Sequence, residues 1–217
     1  MTPTIEYFYS THSAFAWLGS KALSEIAARQ RRVLVHRPFD LRRLFVAIGH
    51  EPTGSINDAR RRYFFGREIE RWAQYRSVPV LGRTPTWHHH DLALSSGVML
   101  AAIEQAERVD QLAHAMLCAH WQHDADLASE ADLARIIQAV GLAPAGLLAR
   151  AVAPDIVARY HANTDEAIAR SLFGSPTYVV DGDPFYGQDR LELVEQACTT
   201  RFTDTWQHRA DPALPGR

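Results

Sequence analysis

Hydrophobic positions change their spacing twice along this 217-residue chain. Residues 5–9 (Ile-Glu-Tyr-Phe-Tyr) concentrate β-branched and aromatic side chains, which predicts a strand. After a polar turn at 10–13, Phe15, Leu18, Leu23, Ile26 and Ala27 recur at helical spacing as far as Arg29. Ser13 stands directly before that run, the place of an N-cap. Alternation resumes at 33–36 and is ended by Arg37-Pro38. Two strands joined by a helical crossover are normally parallel and right-handed.

Helical patterning then dominates. Residues 40–54 are mixed, contain Pro52 and Gly54, and read as the exit from the first unit. Helices are expected over 57–76 (capped by Asn57), 91–108, 110–123, 129–139, 144–151 and 154–169, with a loop carrying two prolines at 79–86. Strand composition returns at 177–181. Gly182-Asp183 makes a turn into 184–186, so the two runs predict a β-hairpin. Past Gly187, residues 188–199 are helical again. The order β-α-β, helices, β-β-α puts a parallel unit and an antiparallel hairpin into one mixed sheet. That is an α/β thioredoxin-like fold with an all-helical insertion. The expected division is 1–45 with 170–204 for the thioredoxin-like domain, 46–169 for the insertion, and a loose tail at 205–217.

Composition narrows the function classes. Hydrophobic residues make up 47% and charged residues 22%, ordinary for a soluble globular protein. A formal net charge of -2 gives no reason to expect nucleic acid or an acidic membrane as partner. No apolar run approaches the roughly 20 residues of a membrane helix. The first ten residues lack the basic-then-apolar order of a secretory signal. Cys118 and Cys198 lie far apart and neither belongs to a C-x-x-C pair. A disulfide framework is therefore not expected, and cytoplasmic residence is.

Three segments carry candidate chemistry. Ser13 falls at the junction of the first strand and helix, where a thioredoxin fold places its nucleophilic cysteine. A serine there cannot do redox chemistry, which argues against a dithiol oxidoreductase. Its hydroxyl can donate to a thiolate brought by a ligand, aided by N–H groups of the first helical turn; simple capping is the competing role. In Phe173-Gly-Ser-Pro-Thr177, a cis Ser175-Pro176 bond would turn the Ser175 N–H and C=O outward, to pair with a ligand peptide as an added edge. An ordinary proline at strand entry reads equally from the sequence. In Tyr186-Gly-Gln-Asp-Arg190, Asp189 can accept from an ammonium group while nearby N–H groups hold a carboxylate, or can serve as an acid at a helix start.

The remaining features are less specific. His88-His89-His90 are adjacent on a loop, and adjacent histidines seldom converge on one metal. His120 and His123 fall three apart on one helix, without a carboxylate or cysteine cluster at fixed offsets, so no metal site is expected. Asn57, Arg60, Arg61, Arg62 and Arg67 give the first inserted helix a basic flank, solvated by default; one or two of these arginines would suit an anionic substrate. Trp72 and Trp87 suit either the wall of such a site or the core.

Together these segments resemble the 2-hydroxychromene-2-carboxylate isomerases, relatives of kappa-class glutathione transferases within the DsbA-like thioredoxin superfamily. The resemblance runs from about Ile5 to Gln196. It rests on Glu6 to Tyr9, Ser13 to Gly19, His36 to Leu41, Arg71 to Ala73, and most specifically on Phe173 to Gly182 and Phe185 to Leu191. It implies glutathione as cofactor, with Ser13 activating its sulfur, Ser175 before Pro176 pairing with the cysteinyl backbone, and Gln188 and Asp189 holding the γ-glutamyl end. Asn57 matches an asparagine that contacts glutathione in relatives. Phe15, Arg60 and Trp87 are the expected lining for a small aromatic or electrophilic substrate. Relatives often pair, so a homodimer is an open expectation. Ala14 stands where the family usually has proline, and Ser10-Thr11-His12 replaces its usual acidic-aromatic lead. The expected reaction is reversible addition of glutathione thiolate to an unsaturated aromatic carboxylate. Conjugation of electrophiles and non-catalytic binding of glutathione or a peptide are the alternatives.

Overall fold

The computed structural model describes residues 2–49 and 57–203. The tail expected at 205–217, and residues 50–56 of the insertion, lie outside them. Strand β1 (Thr4–Tyr9) leads through a turn into helix α1 (Ala14–Arg29) and strand β2 (Val33–Pro38). A helical stretch follows: α2 (Leu41–Ala47), α3 (Asp58–Arg62), α4 (Glu68–Arg76), α5 (Ala93–Gln105), α6 (Val109–His123), α7 (Glu130–Ala139), α8 (Pro144–Ala151) and α9 (Pro154–Ala169). The chain closes with β3 (Thr177–Val180), β4 (Asp183–Tyr186), a 3-10 turn over Gln188–Arg190 and α10 (Leu191–Ala197). No described helix is long and apolar enough to cross a membrane.

The four strands form one mixed sheet in the order β2-β1-β3-β4. β1 pairs parallel with β2, Tyr7 opposite His36, and antiparallel with β3, Tyr7 opposite Tyr178. The two-residue alternation of a strand assigns its faces. Ile5, Tyr7 and Tyr9 are buried in the larger core, which also holds Leu18, Leu23 and Ile26 of α1. Phe8 points the other way, into a second core with Phe39, Leu44, Ala167, Leu172 and Val179. Glu6 shares the Phe8 face and is held by Arg170 at 3.0 Å and Arg37 at 3.3 Å.

The structure corrects the sequence expectation in three places. Residues 41–47 are helical, not an irregular exit. Asp40 caps α2 by accepting from the N–H groups of Arg42 (2.9 Å) and Arg43 (3.1 Å), and Leu44 alone of this helix is fully buried. The helix expected over 57–76 is interrupted by a π turn at Tyr63–Arg67. A π turn rotates the faces on either side of it, and here Tyr63, Phe64 and Phe65 are all left exposed. The last helix opens with a 3-10 turn, so Gln188 and Asp189 precede α10 rather than belong to it. In the insertion, Gly97 lets α5 approach α8 closely: a Cβ there would stand 2.3 Å from the Ala151 carbonyl oxygen.

Candidate active site

The turn between β1 and α1 is the centre of the site. Ser13 has extended backbone angles and its Oγ accepts from the Ala16 N–H at 3.2 Å, so it caps α1. The same hydroxyl donates to the Ser175 carbonyl oxygen at 3.1 Å, a contact across 162 residues of chain. In return the Ser10 N–H donates to the Ser175 Oγ at 2.9 Å. The Ser175-Pro176 bond is cis. Ser13 and Ser175 are both buried, each 7% exposed.

Pro176 ties in the third segment, because its carbonyl accepts from the Gly187 N–H at 2.9 Å. Gly187 has φ of +98°, and a Cβ there would stand 2.4 Å from Asp189 Oδ1, so the turn requires glycine. Asp189 lies beside it, exposed and paired with Arg190 at 2.6 Å. Gln188 is turned inward and 1% exposed. Its Oε1 accepts from Arg76 Nε at 2.6 Å and its carbonyl from Arg76 Nη2 at 2.9 Å. Arg76 also lies over the Trp72 ring, 5.2 Å from its centre. Arg76 therefore links α4 to the turn before α10, a role the sequence did not signal.

The insertion is fastened to the same turn. Thr11 Oγ1 meets Ser95 Oγ of α5 at 2.8 Å. Trp121 of α6 donates to the His12 carbonyl at 2.7 Å, and Trp17 donates to the Pro79 carbonyl at 2.9 Å. Phe15, in the first turn of α1, lies 5.3 Å from Phe64 in the π turn. Trp87 is partly exposed and tilted against His90, in the loop that also brings His88 to the site. Asn57 and Arg60 fit their expected roles less closely. Asn57 Oδ1 is spent on the Arg60 N–H at 2.9 Å, capping α3, and the Arg60 side chain is exposed.

Histidines gather where the sequence offered no reason to group them. The His12 ring stacks on His88 at 4.3 Å, and His88 on His120 at 5.3 Å. His88 Nδ1 and His120 Nε2 are 3.0 Å apart, and His120 Nδ1 is 2.9 Å from the Ala125 carbonyl. A carbonyl only accepts, so His120 carries its proton on Nδ1 and His88 donates to His120 Nε2. Burial pushes all three imidazoles down: His88 to about 4, and His12 well below the usual histidine range. Among the described residues no group of three or more His, Cys, Asp or Glu side chains is arranged to hold a metal ion. The signal for this cluster was weak: His12 adjoins Ser13 in sequence, but nothing local points to its partners.

This is a thioredoxin-type site in which a serine caps the helix that follows the first strand, opposite a cis proline. The DSBA-like thioredoxin domain model matches residues 4–199, and the chain belongs to that family. Within it, the chain is 25% identical over 199 residues to a 2-hydroxychromene-2-carboxylate isomerase of Sphingobium xenophagum, covering 90% of this chain and 97% of that protein. It is 23% identical over 224 residues to glutathione S-transferase kappa 1 of Rattus norvegicus, covering 98% and 96%. A solved 2-hydroxychromene-2-carboxylate isomerase superposes with a TM-score of 0.75 at 22% identity, over 89% of this chain and 93% of the other.

Proposed function

We propose that this chain is a glutathione-dependent isomerase, in which bound glutathione adds as a thiolate to an unsaturated aromatic carboxylate such as 2-hydroxychromene-2-carboxylate and leaves again after bond rotation. The observation that carries the reading is the Ser13–Ser175 hydrogen bond at the start of α1. A hydroxyl has one hydrogen. Turning it to a ligand sulfur breaks the bond to Ser175 and releases that carbonyl to accept an N–H of the same ligand. One internal bond is exchanged for two bonds to a cysteinyl peptide, one of them to a charged acceptor. A hydrogen bond to a charged group is worth roughly 1.5–3 kcal/mol against about 1 for the neutral one it replaces. The helix terminus adds about 0.3–1 kcal/mol. At about 1.36 kcal/mol per unit, the sum lowers a thiol pKa by about one to two units, from near 8.5 towards neutrality.

The γ-glutamyl end fits Asp189 and the N–H groups around Gln188, with Asn57 at the margin. Phe15 and Trp87, with Arg60 at an exposed position, are the residues proposed to receive the second substrate. Glutathione is regenerated, so it is a cofactor rather than a reagent. The likeness to the rat kappa-class transferase along nearly its whole length keeps conjugation as the second reading. Cytoplasmic residence, where glutathione is abundant, and pairing into a homodimer accompany the proposal.

The test is the ultraviolet absorbance of the glutathione thiolate against pH, with wild type and with Ser13→Ala. The reading expects a lowered thiol pKa on the wild type, lost in Ser13→Ala along with about 10- to 100-fold of the neutral-pH rate. Saturable binding with an unchanged pKa would make the protein a carrier, and stable conjugate accumulating from the chromene carboxylate would make it a transferase.

A further inference from the structure

His12 is 8% exposed, directly precedes Ser13, and is used by nothing in the reading above. Its Nδ1 is fully enclosed and has no hydrogen-bond partner among the described residues. Its Nε2 makes no hydrogen bond within the described residues either, yet is not one of the fully enclosed unpartnered atoms, which leaves it at the ring's small exposed edge. A neutral imidazole carries one N–H. An enclosed N–H without an acceptor is the rarer and costlier defect, an under-used acceptor the milder one. The proton therefore belongs on Nε2, where water or a ligand can take it. The surroundings keep the ring neutral. His88 stacks on one face at 4.3 Å, and His120, bonded to His88, lies 6.1 Å from the same ring. Trp121 of α6 holds the His12 carbonyl. Arg42 of α2, bonded to the His89 carbonyl at 2.6 Å, adds positive charge nearby. The N-terminal end of α1 also opposes a cation here.

We propose that His12 is a hydrogen-bond donor, through Nε2–H, to the oxygen of the second substrate that becomes negative when the glutathione sulfur adds. The inference rests on the glutathione-dependent reading. In the ring-opened 2-oxo form of the substrate, the sulfur lone pair forms the new C–S bond, the C=C pair moves to the neighbouring carbon–carbon bond, and the carbonyl pair settles on oxygen as an enolate. His12 transfers no proton; it keeps Nε2–H and donates it more strongly as the oxygen gains charge. The former double bond can now rotate, and collapse of the enolate expels the thiolate. The fixed chain His88 to His120 to the Ala125 carbonyl positions His12 by supplying a rigid ring to stack on.

Two measurements test this. In isotope-edited NMR of the imidazole nitrogens, His12 is expected as the Nε2–H tautomer with no titration between about pH 5.5 and 8, a window that spans the ordinary histidine value. An Nδ1–H tautomer, or a midpoint inside that window, overturns the proposal. The second follows single-turnover addition by the glutathione-loaded protein, with benzylidenepyruvate and 2-hydroxychromene-2-carboxylate as acceptors. His12→Leu should slow it about 100-fold, with glutathione affinity and thiol pKa unchanged, and His12→Gln, which keeps a donor, should recover most of the loss. A His12→Leu protein that binds glutathione and adds at the wild-type rate refutes the proposal. A wild type that does not bind glutathione sinks the functional reading instead, and a wild type inert to both acceptors leaves the tautomer to decide.

Discussion

The two walls of the candidate site are held by different forces. The wall built by the β1–α1 turn, the cis-proline segment and the Gly187 turn is a lattice of neutral hydrogen bonds: Ser13 to Ser175, Ser10 to Ser175, Gly187 to Pro176. Nothing in that lattice titrates near neutral pH. The wall contributed by the insertion is made of rings and titratable groups: Phe64 against Phe15, His88 in contact with both His12 and His120, and Arg76 over Trp72. The first arrangement fixes backbone groups in place, which suits a ligand whose peptide skeleton does not vary. The second offers shape and polarisable surface, which suits the aromatic substrate proposed above.

Acid should expose this difference most strongly. An unfolded histidine titrates near 6.5 and folded His88 at about 4. Between those values the unfolded chain holds more protons, so stability rises with pH and is lost as pH falls from about 6.5 through about 4. Urea unfolding should show a loss on the order of 2 kcal/mol between about pH 7 and 5 attributable to His88. That loss should shrink in His88→Gln, which keeps a donor towards His120. Equal pH slopes for the two proteins would mean that the histidine wall is solvated and not a packed element.

A smaller effect is expected where the walls meet. Arg76→Lys keeps the charge but not the two-pronged fork that holds Gln188. Glutathione binding by calorimetry should weaken about tenfold, near 1.4 kcal/mol, with little change in melting temperature. An unaltered isotherm would remove Gln188 from the binding face. The smallest effect belongs to the margin. Asn57→Ala removes a helix cap worth about 0.5–1 kcal/mol and should weaken glutathione binding no more than about threefold, because its oxygen is already committed to Arg60. A tenfold loss would make Asn57 a principal ligand.

Legibility in the sequence followed the range of the interactions. β1, α1, the cap at Ser13 and the closing hairpin were readable because period, cap and turn residues lie within a few positions of one another. α2 escaped notice because seven residues with a single fully buried side chain, Leu44, leave no periodic stripe. The π turn was invisible for a related reason: Tyr63, Phe64 and Phe65 suit either helix form, and packing against Phe15 is not encoded locally. Gln188 was marked by motif, yet its inward turn depends on Arg76, 112 positions away.

By itself, then, the sequence determined the order of elements, the serine at the head of α1 and the proline at the entry to β3, because capping, strand composition and turn chemistry act over neighbouring residues. The tertiary structure alone decided that Ser13 spends its proton on Ser175, that Arg76 grips Gln188, and that His12, His88 and His120 form one cluster. Each of those depends on which distant side chains are enclosed together, and enclosure is a property of the packed sheet and helices rather than of any segment.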